Sequence, residues 1–234
     1  CLADLLDTVP ERARAGAGSP GPVAYAARLT YLPVGMSTAA AGTRAASAQR
    51  TRERIIDAAI ARFAADGVGA SFDAIAADCG VTKGALYHHF GSKDELVEAV
   101  YREAIRRHAD RVVAASAEGT GRERLHALID SSMQLYGSGT PFYRLLIRLH
   151  LEAGAGRGHL TGIARRVQAH QREYMLALVR QGQEDGSIRP DLDAEAVGLT
   201  VNAALQGFLV QQLEPPATLR RWTRSFQRLM EDLL

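Results

Sequence analysis

The chain has 234 residues, 47% of them from the set AVILMFWYC and 23% charged, a soluble globular composition long enough for one large domain or two small ones around a sizeable core. A formal net charge of +2 excludes any argument for nucleic acid from charge excess alone, so a basic surface has to come from placement. Cys1 and Cys79 make no disulfide framework, no apolar run approaches the roughly 20 residues that span a bilayer, and no secretory signal opens the chain; the expectation is a cytoplasmic protein without a membrane segment.

Residues 1–46 are rich in Ala, Gly, Pro, Arg and Ser and hold no sustained apolar period, which predicts a disordered tail. Met36 is a candidate native start within it, the preceding residues then being upstream translation. From Arg50 the pattern is helical, with Ile55, Ile56, Ala59, Ile60 and Phe63 at three- and four-residue spacings and Gly67 as a stop. Ser71 can cap a short helix, FDAIAADC, that turns Phe72, Ile75 and Cys79 to one face. Gly80 interrupts the pattern, and Thr82 starts a second short helix with Leu86 and Phe90 inward and Gly91 at its close. Ser92 and Glu95 form an S-x-x-E capping box ahead of a helix predicted over 93–117, about 35–40 Å long, with Leu96, Val100, Ile105 and Val112 repeating along it. Further helices are predicted over 122–136, 141–153, 159–184, 194–213 and 217–233, with Pro141 in a first turn and breaks at Gly137, Gly154 and Gly186. No stretch alternates with period two and no repeat of 20–50 residues is present, so the fold class is all-α. The expected domains are the tail (1–46), a three-helix helix-turn-helix unit (47–92) and a larger helical unit (93–234).

The stretch from Ser71 to Phe90 has the spacing of a helix-turn-helix. Ala76, four residues before Gly80, is small enough for two helices to cross closely, Gly80 can take the positive φ of the turn, and Val81 plugs the angle. With Leu86 and Phe90 inward, the opposite face shows Lys83, Gly84, Ala85, Tyr87 and His88. A helix about 10–12 Å across fits a major groove about 12 Å wide. Gly84 and Ala85 let the backbone approach the bases, and Thr82, Lys83 and Tyr87 can reach base edges or phosphates. His88 and Lys93 can grip the flanking backbone, and the amides at both helix starts can face phosphates. Lys83 and Lys93 are the only two lysines in the chain, which adds slight support.

The run TRERIIDAAIARFAADGVGASFDAIAADCGVTKGALYHHFGSKDELVEAV resembles the DNA-binding segment of the TetR family of bacterial transcription regulators. Members of that family are all-helical homodimers whose recognition helices enter adjacent major grooves, and most are repressors released by a small ligand held in the C-terminal domain. The resemblance places Thr82, Lys83, Gly84, Tyr87, His88 and Lys93 at DNA-facing positions and Ser71 at a phosphate contact. Cys79 departs from the usual alanine, and His89 stands where tyrosine or another aromatic is common. The implied partners are double-stranded DNA carrying a palindromic operator, a small-molecule effector and a second copy of the chain. No cofactor is implied.

Other motifs carry less. His88 and His89 are adjacent, about 100° apart on a helix, and do not share a metal. Cys79 is a small buried hydrophobe or, in the sharper reading, a redox-sensing thiol. GAGRGHL at 154–160 resembles a phosphate loop but follows a helix, which makes it a connection. Ser131, Ser132 and His126 share a helix without an acidic partner, and His150 and Glu152 lack a second ligand cluster, so no enzyme is expected. Candidates for an effector pocket are Met133, Phe142, Tyr143, Leu146, His150, Tyr174 and Phe208, each with plain core as the competing reading. Arg144 and Arg148 are either an anion site or a solvated face. The last two helices offer Val197, Val201, Leu205, Phe208, Leu219, Trp222, Phe226 and Leu229 as core or interface; the residues leave this open, and the resemblance implies a four-helix dimer contact. The competing functions are a regulator without an effector, an activator, and a small-molecule-binding protein or enzyme with a vestigial helix-turn-helix.

Overall fold

The helical periods close into nine helices among the described residues of the computed structural model, 43–156, 159–211 and 216–233. In chain order these are α1 (Thr43–Asp66), α2 (Phe72–Cys79), α3 (Lys83–His89), α4 (Lys93–Ala115), α5 (Gly121–Gly137), α6 (Pro141–Gly154), α7 (His159–Glu184), α8 (Ala194–Val210) and α9 (Pro216–Leu233). Helices are the only regular elements among these residues, an all-α fold, and none is long and apolar enough to cross a membrane.

One boundary moves for a clear reason. α1 begins at Thr43, inside the stretch assigned to the tail and seven residues before Arg50. The segment TRAASAQR has no apolar stripe, but Ala, Arg and Gln are strong helix formers, so the helix extends there with residues 46–50 exposed. The earlier part of the tail, with Cys1 and Met36, lies outside the described residues, as do residues 157–158 of the glycine-rich stretch and Leu213 at the expected end of α8. Gly137 and Gly154 are the last residues of their helices; the left-handed turns fall two residues later, at Gly139 (φ 61°) and Gly156 (φ 77°).

Side chains at the helix starts take up the orphan amides. Thr120 and Glu123 form a complete capping box on α5: the Thr120 hydroxyl accepts from the Glu123 N–H at 3.3 Å, and the Glu123 carboxylate accepts from the Thr120 N–H at 2.9 Å. Thr140 caps α6 ahead of Pro141, and Asp193 caps α8.

A single apolar core runs through the described helices, so no linker separates the helix-turn-helix from the rest. Ile55, Ala59 and Phe63 of α1, Phe72 and Ile75 of α2, Leu86 of α3, and Leu96, Val100 and Tyr101 of α4 are all buried in it. α1 packs on α2, α4 and α6; α4 packs also on α5, α6 and α7; and α8 lies against α5, α6 and α7. An ion pair between Arg107 of α4 and Asp57 of α1 crosses the same junction. α4 is therefore a shared spine, with its first turn beside α3 and its second half inside the C-terminal bundle. The bundle's tightest crossing is Gly121 of α5 against α7, where an added Cβ would lie 2.1 Å from the Gly182 nitrogen.

Candidate nucleic-acid interface

The turn between α2 and α3 is built from short-range chemistry. The Ser71 hydroxyl oxygen accepts from the Ala74 N–H at 3.2 Å, and the Thr82 hydroxyl oxygen accepts from the Ala85 N–H at 3.1 Å, capping both helices. Gly80 takes φ 66° and ψ 36°, a left-handed conformation that costs an L-residue strain, and the Val81 N–H then donates to the Ala76 carbonyl at 3.0 Å. Leu86 and Phe90 are buried, Val81 is half-buried against the core, and Cys79 is buried with its thiol donating to the Ile75 carbonyl at 3.1 Å.

Three arginines of α1 brace this unit, and the sequence reading did not find them. Arg62 donates to both carboxylate oxygens of Asp78, at 2.6 and 2.7 Å; the pair holds Asp78 below the usual carboxylate range and raises Arg62. The Arg54 guanidinium donates to the Cys79 carbonyl at the end of α2. The Arg52 guanidinium lies over the Phe90 ring, 4.7 Å from its centroid. No motif spacing marks these contacts, because the partners lie 16 to 38 residues apart.

The outward face of α3 carries Thr82, Lys83, Gly84, Tyr87 and His88 exposed, with Ala85 half-buried. A Cβ at Gly84 would meet only the Thr82 hydroxyl, at 3.9 Å, so the α3 backbone can be approached closely. Because Ser71 and Thr82 use their oxygens as acceptors, each retains a hydroxyl hydrogen to donate to an anionic oxygen. Lys83 is not free in this structure: its Nζ sits 2.8 Å from Asp73 Oδ2, and that hydrogen bond raises its pKa and keeps it protonated. Both side chains are more than half exposed, so a phosphate or base edge competes readily with Asp73. Tyr87 is 47% exposed and tilts its ring against Phe72, centroids 4.8 Å apart, which fixes where its hydroxyl can go.

At the far end, Lys93 opens α4 half-buried, and Ser92 caps that helix by accepting from the Glu95 N–H at 3.2 Å. The expected capping box is only half formed there. The Glu95 carboxylate takes the Gly91 N–H at 3.0 Å, one residue earlier than the box requires. Burial, with the charges of His88 and Arg52, lowers the His89 pKa, and its ring meets the His88 ring edge-on at 5.8 Å. Among the described residues no cluster of three or more His, Cys, Asp or Glu is placed to hold a metal.

Deeper in the bundle, α4, α5, α7 and α8 enclose a cavity of about 30 Å³. Its apolar wall includes Ile105, Val112, Leu128, Val167, Met175 and Leu205, and its polar wall is His108, Ser132, Tyr136, Gln171, Asn202 and Gln206. His108 Nε2 is 3.3 Å from the Tyr136 hydroxyl, while Nδ1 is buried without a hydrogen-bond partner. Burial, helped by the charges of Arg111 and His150, pushes the His108 pKa down to about 4, so the ring is neutral near pH 7.

None of the seven residues expected to line an effector pocket lines this cavity. Met133, Leu146 and Tyr174 are buried in the surrounding core. Tyr143 accepts from Arg111 at 3.2 Å and sets its ring edge-on to His108 at 5.9 Å, and Phe142 lies beside Arg111. Phe208 meets Phe226, centroids 5.9 Å apart. His150 comes nearest in role: its Nδ1 is 3.1 Å from the Tyr101 hydroxyl and its Nε2 3.0 Å from Oε1 of the cavity residue Gln206. A signal for this cavity's lining was present, since His108 falls on the inward stripe Ile105–His108–Val112 of α4 at three- and four-residue steps.

Comparison with known proteins agrees with this architecture. The family described as bacterial regulatory proteins, tetR family, matches residues 55–100. SrpR of Pseudomonas putida, an HTH-type transcriptional regulator, is 54% identical over 57 residues, 24% of this chain but only 27% of that protein. An HTH-type transcriptional repressor of Streptomyces coelicolor is 29% identical over 168 residues, 71% of this chain and 82% of the relative. The crystal structure of a TetR transcriptional regulator from Chloroflexus aurantiacus superposes with a TM-score of 0.69 at 25% identity, over 80% of this chain and 98% of that one. Residues 55–100 carry the DNA-binding segment described for the tetR family, and the helical fold is similar to that of a TetR transcriptional regulator.

The dimer contact implied by TetR-family resemblance needs a correction on α8. Val197, Val201 and Leu205 are buried inside their own protomer, and Leu205 lines the cavity. A helix apolar on nearly every side does not reveal from its period which half its own core takes, and the stripe Val197–Val201–Leu205–Leu209 is the half it takes. The outward half presents Ala196, Leu199, Thr200, Ala203 and Gly207, with Leu199 47% exposed. On α9, Leu229 is 65% exposed, Trp222 and Phe226 are half-buried, and the Leu219 side chain lies outside what the structure describes.

Proposed function

We propose that this chain is a sequence-specific DNA-binding transcription regulator, a homodimer that represses and is released by a small effector. The outward face of α3 carries the reading: exposed donors at Thr82, Lys83, Tyr87 and His88 around a glycine that leaves the backbone open, on a rod of major-groove width. Ser71, which caps α2, and Lys93, which opens α4, would grip the flanking phosphates. The outward strip of α8 with Leu229 of α9 is the surface on which a second copy would pair, and two copies read half-sites about one helical turn apart. The sign of control rests on relatives, the Streptomyces coelicolor protein being named a repressor.

Release runs through α4. The helix starts beside α3 at Lys93 and places Ile105, His108, Ala109 and Val112 in the cavity wall, so a molecule that enlarges the cavity displaces α4 and with it the spacing of the two α3 helices. A coupling of about 1–3 kcal/mol lowers operator affinity roughly 5- to 150-fold. Selection of bound sequences from random duplexes at near-physiological salt tests the proposal. A palindrome is expected; no enrichment by a folded, dimeric protein would overturn it.

A further inference from the structure

We propose that the cavity between α4, α5, α7 and α8 binds a small uncharged alcohol or phenol whose hydroxyl bonds to Nδ1 of His108. This deepens the effector reading above and rests on it. The first observation is the orphan nitrogen. His108 is only 8% exposed and lines the cavity, yet its Nδ1 has no partner. A buried polar atom without a partner is costly, and filling it is a direct source of affinity.

The second observation is the chemistry of the wall. It offers an imidazole, two hydroxyls and three side-chain amides, with no carboxylate, ammonium or guanidinium among the lining residues. The guanidinium of Arg111, which influences His108, is exposed and engaged with the Tyr143 hydroxyl. A charged ligand would lose its hydration here and meet no counter-charge.

The third is tautomer logic. If the Tyr136 hydroxyl donates to Nε2, then Nδ1 carries the proton and needs an acceptor; if Nε2–H donates to Tyr136, then Nδ1 is bare and needs a donor. A hydroxyl serves either case, whereas a carbonyl serves one. The remaining wall, with Ile105, Val112, Leu128 and Met175, suits a hydrocarbon body. The cavity's volume of about 30 Å³ holds one or two waters and is far below the roughly 300–1,000 Å³ of drug-sized sites, so entry requires the wall to move. The hydrogen-bonded chain Tyr101–His150–Gln206–Gln171 runs from the cavity residue Gln206 to α4, so a ligand reaching Gln206 would disturb it there.

The test is calorimetric titration of the full chain with phenol and cyclohexanol against benzoate and cyclohexylammonium, which keep the ring and add a charge. The neutral pair should bind saturably, and the charged pair at least about a hundredfold more weakly. His108→Phe, which keeps an apolar ring and deletes the nitrogen, should weaken phenol about tenfold. As a readout that needs no variant, the His108 Nδ1 resonance of nitrogen-15-labelled wild type should move on adding phenol. Benzoate binding as tightly as phenol, no binding of either neutral probe at millimolar concentration, or an unmoved Nδ1 resonance at saturation would overturn the assignment. Phenol binding by a protein that selects no DNA sequence would leave this inference standing and remove the regulator reading instead.

Discussion

Replacing His108 by glutamine should flatten the acid sensitivity of the fold. In the folded chain the His108 pKa is pushed down to about 4 from an ordinary 6.5, because the ring is buried and the charges of Arg111 and His150 oppose a second proton. Between those values the unfolded chain takes up a proton that the folded chain refuses. Stability from this residue is therefore fully present above pH 6.5 and is lost as pH falls through the window toward 4. The loss is about 2 kcal/mol at pH 5 and about 3 kcal/mol once both states are protonated. Burial also lowers His150 and His126, which act in the same direction, but the variant retains them, so the difference between the two proteins isolates His108. Urea denaturation between about pH 8 and pH 5 is the assay. The stability gap between wild type and H108Q should narrow by about 2 kcal/mol on going from neutral pH to pH 5. Parallel pH curves would show that His108 is protonated in the fold or exposed to water, and would remove the neutral wall on which the cavity argument depends.

Gly121→Ala should cost about 3 kcal/mol or more in a urea melt, since the new Cβ meets backbone on α7 at 2.1 Å; an unchanged midpoint would mean the α5–α7 crossing opens freely. Tyr87→Ala should weaken binding to the selected operator about tenfold without changing the dimer in sedimentation, and equal affinities would remove Tyr87 from the contact set. Lys93→Ala should weaken binding to every duplex alike and reduce the slope of log affinity against log salt by about 1, which an unaltered slope would refute. Leu199→Glu, on the outward strip of α8, should yield monomers in sedimentation; a persisting dimer would place the interface elsewhere.

What the sequence disclosed depended on how local each feature is. The helix-turn-helix was legible because its parts are close in the chain: Ser71 and Thr82 as caps, Gly80 at the turn, and Leu86 and Phe90 four residues apart, all of which the structure places as the spacing implies. The half-formed box at Ser92 and the unforeseen complete one at Thr120 are equally local but turn on which carboxylate rotamer is reached, which spacing does not encode. Contacts between helices were not legible. The Lys83–Asp73 pair, the Arg54 bond to Cys79 and the Tyr136–His108 pair arise from packing that no single period predicts. Residue type alone points to large apolar and aromatic side chains for an effector pocket, yet Tyr174 and Met133 are buried in the core, and the polar wall of the bundle's cavity is formed by His108, Ser132, Tyr136 and side-chain amides. On α8 the strong hydrophobicity of every side hid the orientation, and the protomer's own core claimed the stripe assigned to a partner.

The central claim, that the outward face of α3 reads DNA, is tested most directly by one binding comparison. The duplex selected by the wild-type chain is titrated with wild type and with a variant carrying Lys83→Ala, Tyr87→Ala and His88→Ala, exposed positions whose loss leaves the Thr82 cap and the buried Leu86 and Phe90 in place. The account predicts a fall in specific affinity of at least about a hundredfold, with helical content and dimer mass unchanged. Undiminished affinity in the folded variant would mean that DNA is bound by another surface, and the account of α3 would be wrong.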